Sequence, residues 1–425
     1  MNGTFPFHVL AKPAGPRCNL RCAYCFYVEK EAELCAGGAP ALMSESTLER
    51  FIRDYIASQP GGEVPFAWQG GEPTLCGIDF FEKAFELQRR YASGKRVTNA
   101  FQTNGILIDE DWAALFQRHR ILVGLSIDGP EAVHDHYRRD RGGHPTFSRV
   151  MRAVEHLRSR NVAFNAMVCV HAGNQHQPLE VYRFLRDQVS RFIQFIPVVQ
   201  RHGTVDGRLV TPEVLLDEAP VDGLSVTAVG FGRFLCAVFD EWARRDVGRV
   251  FVQQFDVALE AWVGAPSSLC SHADTCGRAL ALEHNGDLYA CDHYVFPAYR
   301  LGNIHETPLR ELAAQERQWW FGAAKRDRLP ADCRDCPVLF ACRGGCPKDR
   351  IPVAGAAEPP RNWLCKGYRM FFTHIDEVMT FMARELTRGR PPSNVMAWLR
   401  ERDRKLARAA GSEKKRHPRQ DGRTR

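Results

Sequence analysis

Short apolar runs alternate with amphipathic stretches through the first half of the chain. The runs fall at 7–10, 64–68, 97–102, 121–127, 162–170 and 192–199. Between them lie segments such as 44–58 and 109–120, where apolar and charged positions share a helix. Ser44 stands three residues before Thr47 and five before Glu49, which predicts a capped helix start. Six strands alternating with helices predict a parallel α/β array. The pattern alone does not choose between an open sheet and a barrel. From about residue 231 it changes: a long helical stretch (231–246) leads into a segment dense in Cys, Gly and Pro up to Cys365. An apolar-periodic helix (368–386) and a polar tail follow.

At 425 residues, with 44% hydrophobic and 25% charged positions, the chain has ordinary globular composition and room for more than one domain. No run of eighteen apolar residues occurs, so no membrane-spanning helix is expected. The first fifteen residues lack the basic start, apolar core and cleavage site of a secretory signal. The net charge of +7 hints at nucleic acid until it is located. Residues 401–425 hold ten Lys/Arg against four Asp/Glu, so nearly all the excess belongs to a tail poor in apolar residues. That tail is expected to be disordered and solvated.

Fifteen cysteines in a chain without an export signal change the picture. In a reducing cytosol, clustered cysteines read as metal or redox sites and not as disulfides. Cys18, Cys22 and Cys25 stand in CNLRCAYC, just after the first predicted strand. Three thiolates can hold three irons of a cubane cluster and leave the fourth open to a substrate. The alternative is a zinc loop or unrelated thiols, but zinc wants a fourth ligand and no His or Cys follows closely. Eight more cysteines, Cys270, Cys276, Cys291, Cys333, Cys336, Cys342, Cys346 and Cys365, fill a later stretch. Eight thiols suffice for two fully ligated clusters; a double zinc ribbon would favour two C-x2-C pairs, and one is present.

CNLRCAYC after an initial strand resembles the signature of the radical S-adenosylmethionine enzymes. Gly70-Gly71-Glu72-Pro73, Gln102–Gly105 and Ser126–Pro130 follow in the family's order. The resemblance implies a partial (β/α)6 TIM-like barrel over about residues 5–235. It implies a [4Fe–4S] cluster on Cys18, Cys22 and Cys25 whose open iron binds S-adenosylmethionine, and release of a 5′-deoxyadenosyl radical on reduction. Gly71 and Glu72 are then expected to contact the cofactor's amino group through backbone and carboxylate. Ser126 and Arg138 are expected at the cofactor, Arg138 toward its carboxylate or ribose, unless Arg138 simply pairs with Asp135. Tyr24 is expected beside the adenine, and Ile193 to line the adenine pocket from the sixth strand.

Gly286-x4-Cys291 followed by C-x2-C-x5-C-x3-C resembles the SPASM auxiliary-cluster domain. Carried over, one cluster takes Cys270, Cys276, Cys291 and Cys346, and a second takes Cys333, Cys336, Cys342 and Cys365. Cys35, Cys76, Cys169 and Cys236 match no motif and read as ordinary thiols. The implied division is a radical core at 1–240, a SPASM domain at 241–385 and a basic, disordered tail at 386–425.

The run 275–304, with CNLRCAYCFY, WQGGEPTL and FIQFIP, is similar to the anaerobic sulfatase-maturating enzymes. These oxidise a Cys or Ser within a Cys/Ser-x-Pro-x-Arg motif of a sulfatase to Cα-formylglycine. The resemblance implies Asp292 as general base. It would take the substrate proton while the neighbouring cluster takes an electron. A Cys substrate would pass through a thioaldehyde, and Ser would give the aldehyde directly. It also implies three [4Fe–4S] clusters, an unfolded or nascent sulfatase as partner, an external one-electron reductant such as flavodoxin or ferredoxin, a cytoplasmic location, and neither nucleic acid nor membrane. The alternatives are a SPASM enzyme that crosslinks or otherwise modifies a ribosomal peptide, and a non-catalytic iron–sulfur carrier. A carrier would need neither the open three-thiol site nor the Gly-Gly-Glu-Pro segment.

Overall fold

The structure, a computed structural model, describes residues 5–34, 42–201, 204–205, 208–209, 221–351 and 359–416. Six strands, β1 (His8–Lys12), β2 (Glu63–Trp68), β3 (Arg96–Thr103), β4 (Leu122–Ser126), β5 (Phe164–Val170) and β6 (Phe192–Pro197), lie side by side in chain order. All five pairings among them are parallel. Parallel neighbours need crossovers, and the amphipathic segments supply them as helices. Ser44 accepts the Thr47 N–H and starts the helix Glu45–Ser58; Asp109 does the same for Trp112 and the helix Glu110–Arg118. This is the parallel half of the expected partial barrel.

A small hairpin, β7 (Thr204–Val205) with β8 (Arg208–Leu209), stands apart from the main sheet. The Cys-rich half then rejoins it. β9 (Phe251–Val252) adds to β6, and β10 (Ala279–Glu283) pairs parallel with β1, His8 opposite Ala279 through Lys12 opposite Glu283. β11 (Asp287–Tyr289) and β12 (Arg300–Asn303) extend that edge antiparallel. One ten-stranded sheet thus runs through both sequence halves. β1, predicted at 7–10, runs to Lys12 because strands flank it on both sides.

The outer face of the sheet packs under the helices through Ala11, Phe66, Trp68, Val168 and Phe195, all buried. Burying such side chains contributes roughly 1.5–3 kcal/mol each. On β5 the other face carries Asn165, Met167 and Cys169, half-buried toward the mouth of the sheet. Gly124 on β4 makes room there: a Cβ would lie 2.6 Å from the Met167 sulfur.

The helix Cys365–Thr387 crosses the helix Ala228–Arg245 at two glycines. A Cβ on Gly367 would lie 2.0 Å from the Ala228 carbonyl oxygen, and one on Gly232 would lie 2.8 Å from Gly367 Cα. The tail departs from expectation. Val395–Arg416 is helical, with Val395 and Leu399 buried and Trp398 stacked on Phe381 at 4.8 Å. Apolar positions at i, i+3 and i+4 gave it a face to bury, which the charge excess around them concealed. Residues 417–425 lie outside the described residues.

Candidate functional site

The loop after β1 carries Cys18, Cys22 and Cys25. Its backbone is tied to the 137–139 stretch by Arg21 N–H to Arg139 O (2.8 Å) and Ala23 N–H to Tyr137 O (3.0 Å). Cys18 Sγ accepts from Leu20 N–H at 3.3 Å and from Asn104 Nδ2 at 3.6 Å. Burial, then the charges of Glu72 and Cys25, push the Cys18 thiol up to about 12. Burial also raises Cys22, which feels both other thiols. Thiols this reluctant to ionise alone become thiolates when a metal cation takes the proton's place.

The Gly-Gly-Glu-Pro turn lies against this loop. Gly71 N–H donates to Gly15 O (2.7 Å) and Glu72 N–H to Arg17 O (2.8 Å). A Cβ on Gly71 would sit 1.9 Å from the Arg17 carbonyl oxygen, so only glycine fits. The Glu72 carboxylate is also tied into the fold. Fully buried, it accepts from Thr74 N (3.0 Å), Thr74 Oγ1 (2.7 Å), Thr103 Oγ1 (2.8 Å) and Asn104 N (2.8 Å). Three of these donors share Oε1 and one reaches Oε2, so the carboxylate clamps the β2 and β3 ends together while Oε2 keeps acceptor capacity.

On the other side of the loop, Asp128 is the hub. It is fully buried and lies just past β4. It accepts from the Tyr24 hydroxyl, from Arg138 Nε at 3.0 Å and from Cys169 N–H at 3.0 Å. Burial alone would raise its pKa, but the Arg138 guanidinium leads the opposing interactions, and the carboxyl is held below the usual carboxylate range. Arg138 is therefore not the surface partner of Asp135, which instead accepts from Thr146 and Phe147 N–H (2.7 and 2.9 Å). Arg138 lies over the Tyr24 ring (5.6 Å) with Nη2 4.0 Å from Cys169 Sγ. Ser126 ends β4, buried, in register with Met167. Ile193 does not line this pocket. It pairs with Ala166 on the outer face, in the helix-packed core; Gln194 and Ile196, opposite Met167 and Cys169, hold the inner face. The strand period of two turns a one-residue misalignment into the wrong face.

Asp292 follows Cys291 and reaches the end of β1, where Lys12 Nζ lies 2.5 Å from its Oδ1. Burial would raise this carboxyl; Lys12, His293 and Lys30 prevail and hold it below the usual carboxylate range. Lys12 is buried and lies 3.5 Å over the Tyr27 ring, whose hydroxyl binds Glu283. The sequence reading missed Lys12, Asp128 and His171. The available signal was a lone Lys closing an apolar run, and an Asp inside a motif already noted. Cys35 lies outside the described residues.

The eight later cysteines separate into two neighbourhoods. Cys291 feels the charges of Cys346 and Cys270, Cys276 and Cys346 each feel Cys270, and burial pushes Cys346 up to about 12. Cys342 feels Cys365, Cys333 and Cys336, and Cys365 feels Cys336. Around the first group, Lys325 Nζ donates to Cys270 O (2.8 Å) and Ser271 O (3.0 Å), and Cys276 N–H to Gly322 O (3.2 Å). Among the described residues no three His, Cys, Asp or Glu converge on a single ion. One group of three thiols and two of four fit polynuclear clusters. A glycine-lined turn and donors beside the three-thiol loop fit a small polar cofactor.

A parallel sheet with an open three-thiol loop at its strand ends, joined to a four-plus-four thiol half, defines a radical S-adenosylmethionine protein with an auxiliary cluster domain. Residues 13–185 match the model of the Radical SAM superfamily, and residues 274–337 match that of an iron–sulfur cluster-binding domain. A serine-type anaerobic sulfatase-maturating enzyme of Bacteroides thetaiotaomicron is 42% identical over 94% of this chain and 97% of its own. A cysteine-type enzyme of Clostridium perfringens is 33% identical over 87% and 96%. The solved structure of native anSMEcpe with bound AdoMet and Kp18Cys peptide matches with a TM-score of 0.79 at 32% identity, over 90% of this chain and all of that one. The chain belongs to the anaerobic sulfatase-maturating enzymes.

Proposed function

We propose that this formylglycine-generating oxidoreductase acts on one Ser or Cys of an unfolded or nascent sulfatase polypeptide, held at the sheet mouth. The observation that carries this reading is Asp292. It is an ionised carboxylate that β1 and Lys12 hold at the junction of the three-thiol loop's strand with the four-thiol half. Its cofactors are S-adenosylmethionine and three [4Fe–4S] clusters. Cys18, Cys22 and Cys25 would hold the first; Cys270, Cys276, Cys291 and Cys346 the second; Cys333, Cys336, Cys342 and Cys365 the third. Bound there, the reduced first cluster and S-adenosylmethionine supply hydrogen-atom abstraction from the substrate Cβ.

The chain's residues do the rest. The Gly70–Gly71 backbone receives the cofactor's amino group. Arg138, fixed through Nε by Asp128, offers its outer nitrogens to the cofactor, and Tyr24 packs beside the adenine. Asp292 takes the proton from the substrate hydroxyl or thiol, and Lys12 keeps the carboxylate aimed and charged until then. The auxiliary thiols hold the electron's exit route. An external one-electron reductant such as flavodoxin or ferredoxin serves the first cluster. The reducing cytoplasm suits the eleven ligand thiols, and no helix of the described residues is long and apolar enough to cross a membrane.

Identity of 42% to a serine-type relative, against 33% to a cysteine-type one, favours a serine target. The test is anaerobic incubation of the reconstituted enzyme with two peptides that differ only in Ser or Cys within Ser/Cys-x-Pro-x-Arg. Mass spectrometry should show loss of two hydrogens from the Ser peptide. Crosslinked product without aldehyde would overturn the reading.

A further inference from the structure

His171 lies one residue past β5, beside the Asp128 hub, and its side chain has no part in the mechanism above. It is fully buried. Its ring stacks on Tyr24 (centroids 5.5 Å apart, planes at 26°) and meets Tyr137 edge-on at 4.6 Å. Nδ1 accepts the Gly173 N–H at 3.1 Å, which places the ring proton on Nε2. Among the described residues, Nε2–H has no hydrogen-bond acceptor. The nearest acid is Asp128 Oδ2 at 3.9 Å, and that oxygen already accepts from Tyr24 and Arg138. Burial lowers the ring's pKa to about 4, so at neutral pH it is a neutral donor. Buried donors in folded proteins are nearly always satisfied, so this one calls for a partner.

The two sides of the three-thiol loop differ in chemistry. Toward β2 and β3 the groups are polar: Glu72 accepts the Asn104 N–H, and the Gly71 N–H donates to Gly15 O. Toward β4 and β5, Tyr24, Tyr137 and His171 form an aromatic wall edged by Asp128 and Arg138. Flat apolar surface with polar groups at its edge suits a nucleoside and not an amino-acid backbone.

We propose that His171 is a cofactor-positioning residue that grips the nucleoside half of S-adenosylmethionine, its Nε2–H donating to a ribose hydroxyl oxygen. The inference rests on the reading of this pocket as the cofactor site. It is tested on reconstituted holoenzyme with oxidised clusters, so that nothing turns over. His171→Phe keeps a ring against Tyr24 and loses the donor; His171→Gln keeps a donor. Calorimetry would measure S-adenosylmethionine, 5′-deoxyadenosine and L-methionine separately, with iron content as the fold check. We expect His171→Phe to weaken the first two about tenfold, as loss of one buried hydrogen bond should. L-methionine binding and iron content should not change, and His171→Gln should recover most of the nucleoside affinity. Nucleoside binding within twofold of wild type in His171→Phe, equal loss in both variants, or joint loss of nucleoside and methionine binding would each overturn it. Failure of the wild-type enzyme to bind S-adenosylmethionine would overturn the cofactor reading itself.

Discussion

Asp292 and Lys12 form a buried pair across the two sequence halves. Asp292→Asn keeps the size but cannot accept the substrate proton. General-base loss costs about 10²–10⁴ in rate, so formylglycine should fall by that factor while 5′-deoxyadenosine continues to form. The ratio of the two products in one anaerobic assay measures this. An unchanged ratio would make Asp292 structural; loss of both products with iron retained would make it a positioning residue. The substitution also leaves Lys12 without its counter-charge. Breaking a buried pair costs on the order of 3–5 kcal/mol, so a melting curve must accompany the assay. The cysteines and the glycine turn were legible in the sequence because their spacing is local. Lys12, Asp128 and His171 were not, since each acquires its role from partners on other strands.

At the scale of elements, the C-terminal helix is the part the charge pattern misrepresented. Val395 and Leu399 are buried against the preceding helices, Asn394 Nδ2 donates to Glu385 at 2.6 Å, and Arg244 pairs with Asp403 at 3.1 Å. Ending the chain after Arg408 should leave the melting temperature within about one degree, because these contacts survive. Ending it after Arg390 removes two buried aliphatic side chains worth roughly 1.5–3 kcal/mol each, and should lower it by several degrees. Differential scanning fluorimetry of the two truncations decides; equal melting would return this helix to the status of a solvated tail.

For the whole molecule, the three thiol groups predict on the order of twelve irons per chain after anaerobic reconstitution. Replacing Cys18, Cys22 and Cys25 together by Ala should remove about a third of the iron and all cofactor cleavage, leaving both auxiliary groups loaded. Stoichiometric zinc at the later cysteines would contradict the assignment. The auxiliary half is not a separable appendage. β10 completes the sheet beside β1, and the helix that starts at the ligand candidate Cys365 seats on Ala228–Arg245 through Gly232 and Gly367.

The sequence by itself determined the strand–helix alternation and the three-thiol loop, because periodicity and motif spacing act over a few residues; the division of the eight later thiols came only from the family resemblance. The tertiary structure decided the rest. It set the face of each β6 residue, since strand register inverts sides with a single step. It committed Glu72 to four internal donors and Arg138 to Asp128, and it docked a helix that charge alone would have left in water. These are contests between partners distant in the chain, and their outcome depends on which groups the sheet brings within hydrogen-bonding distance and removes from solvent.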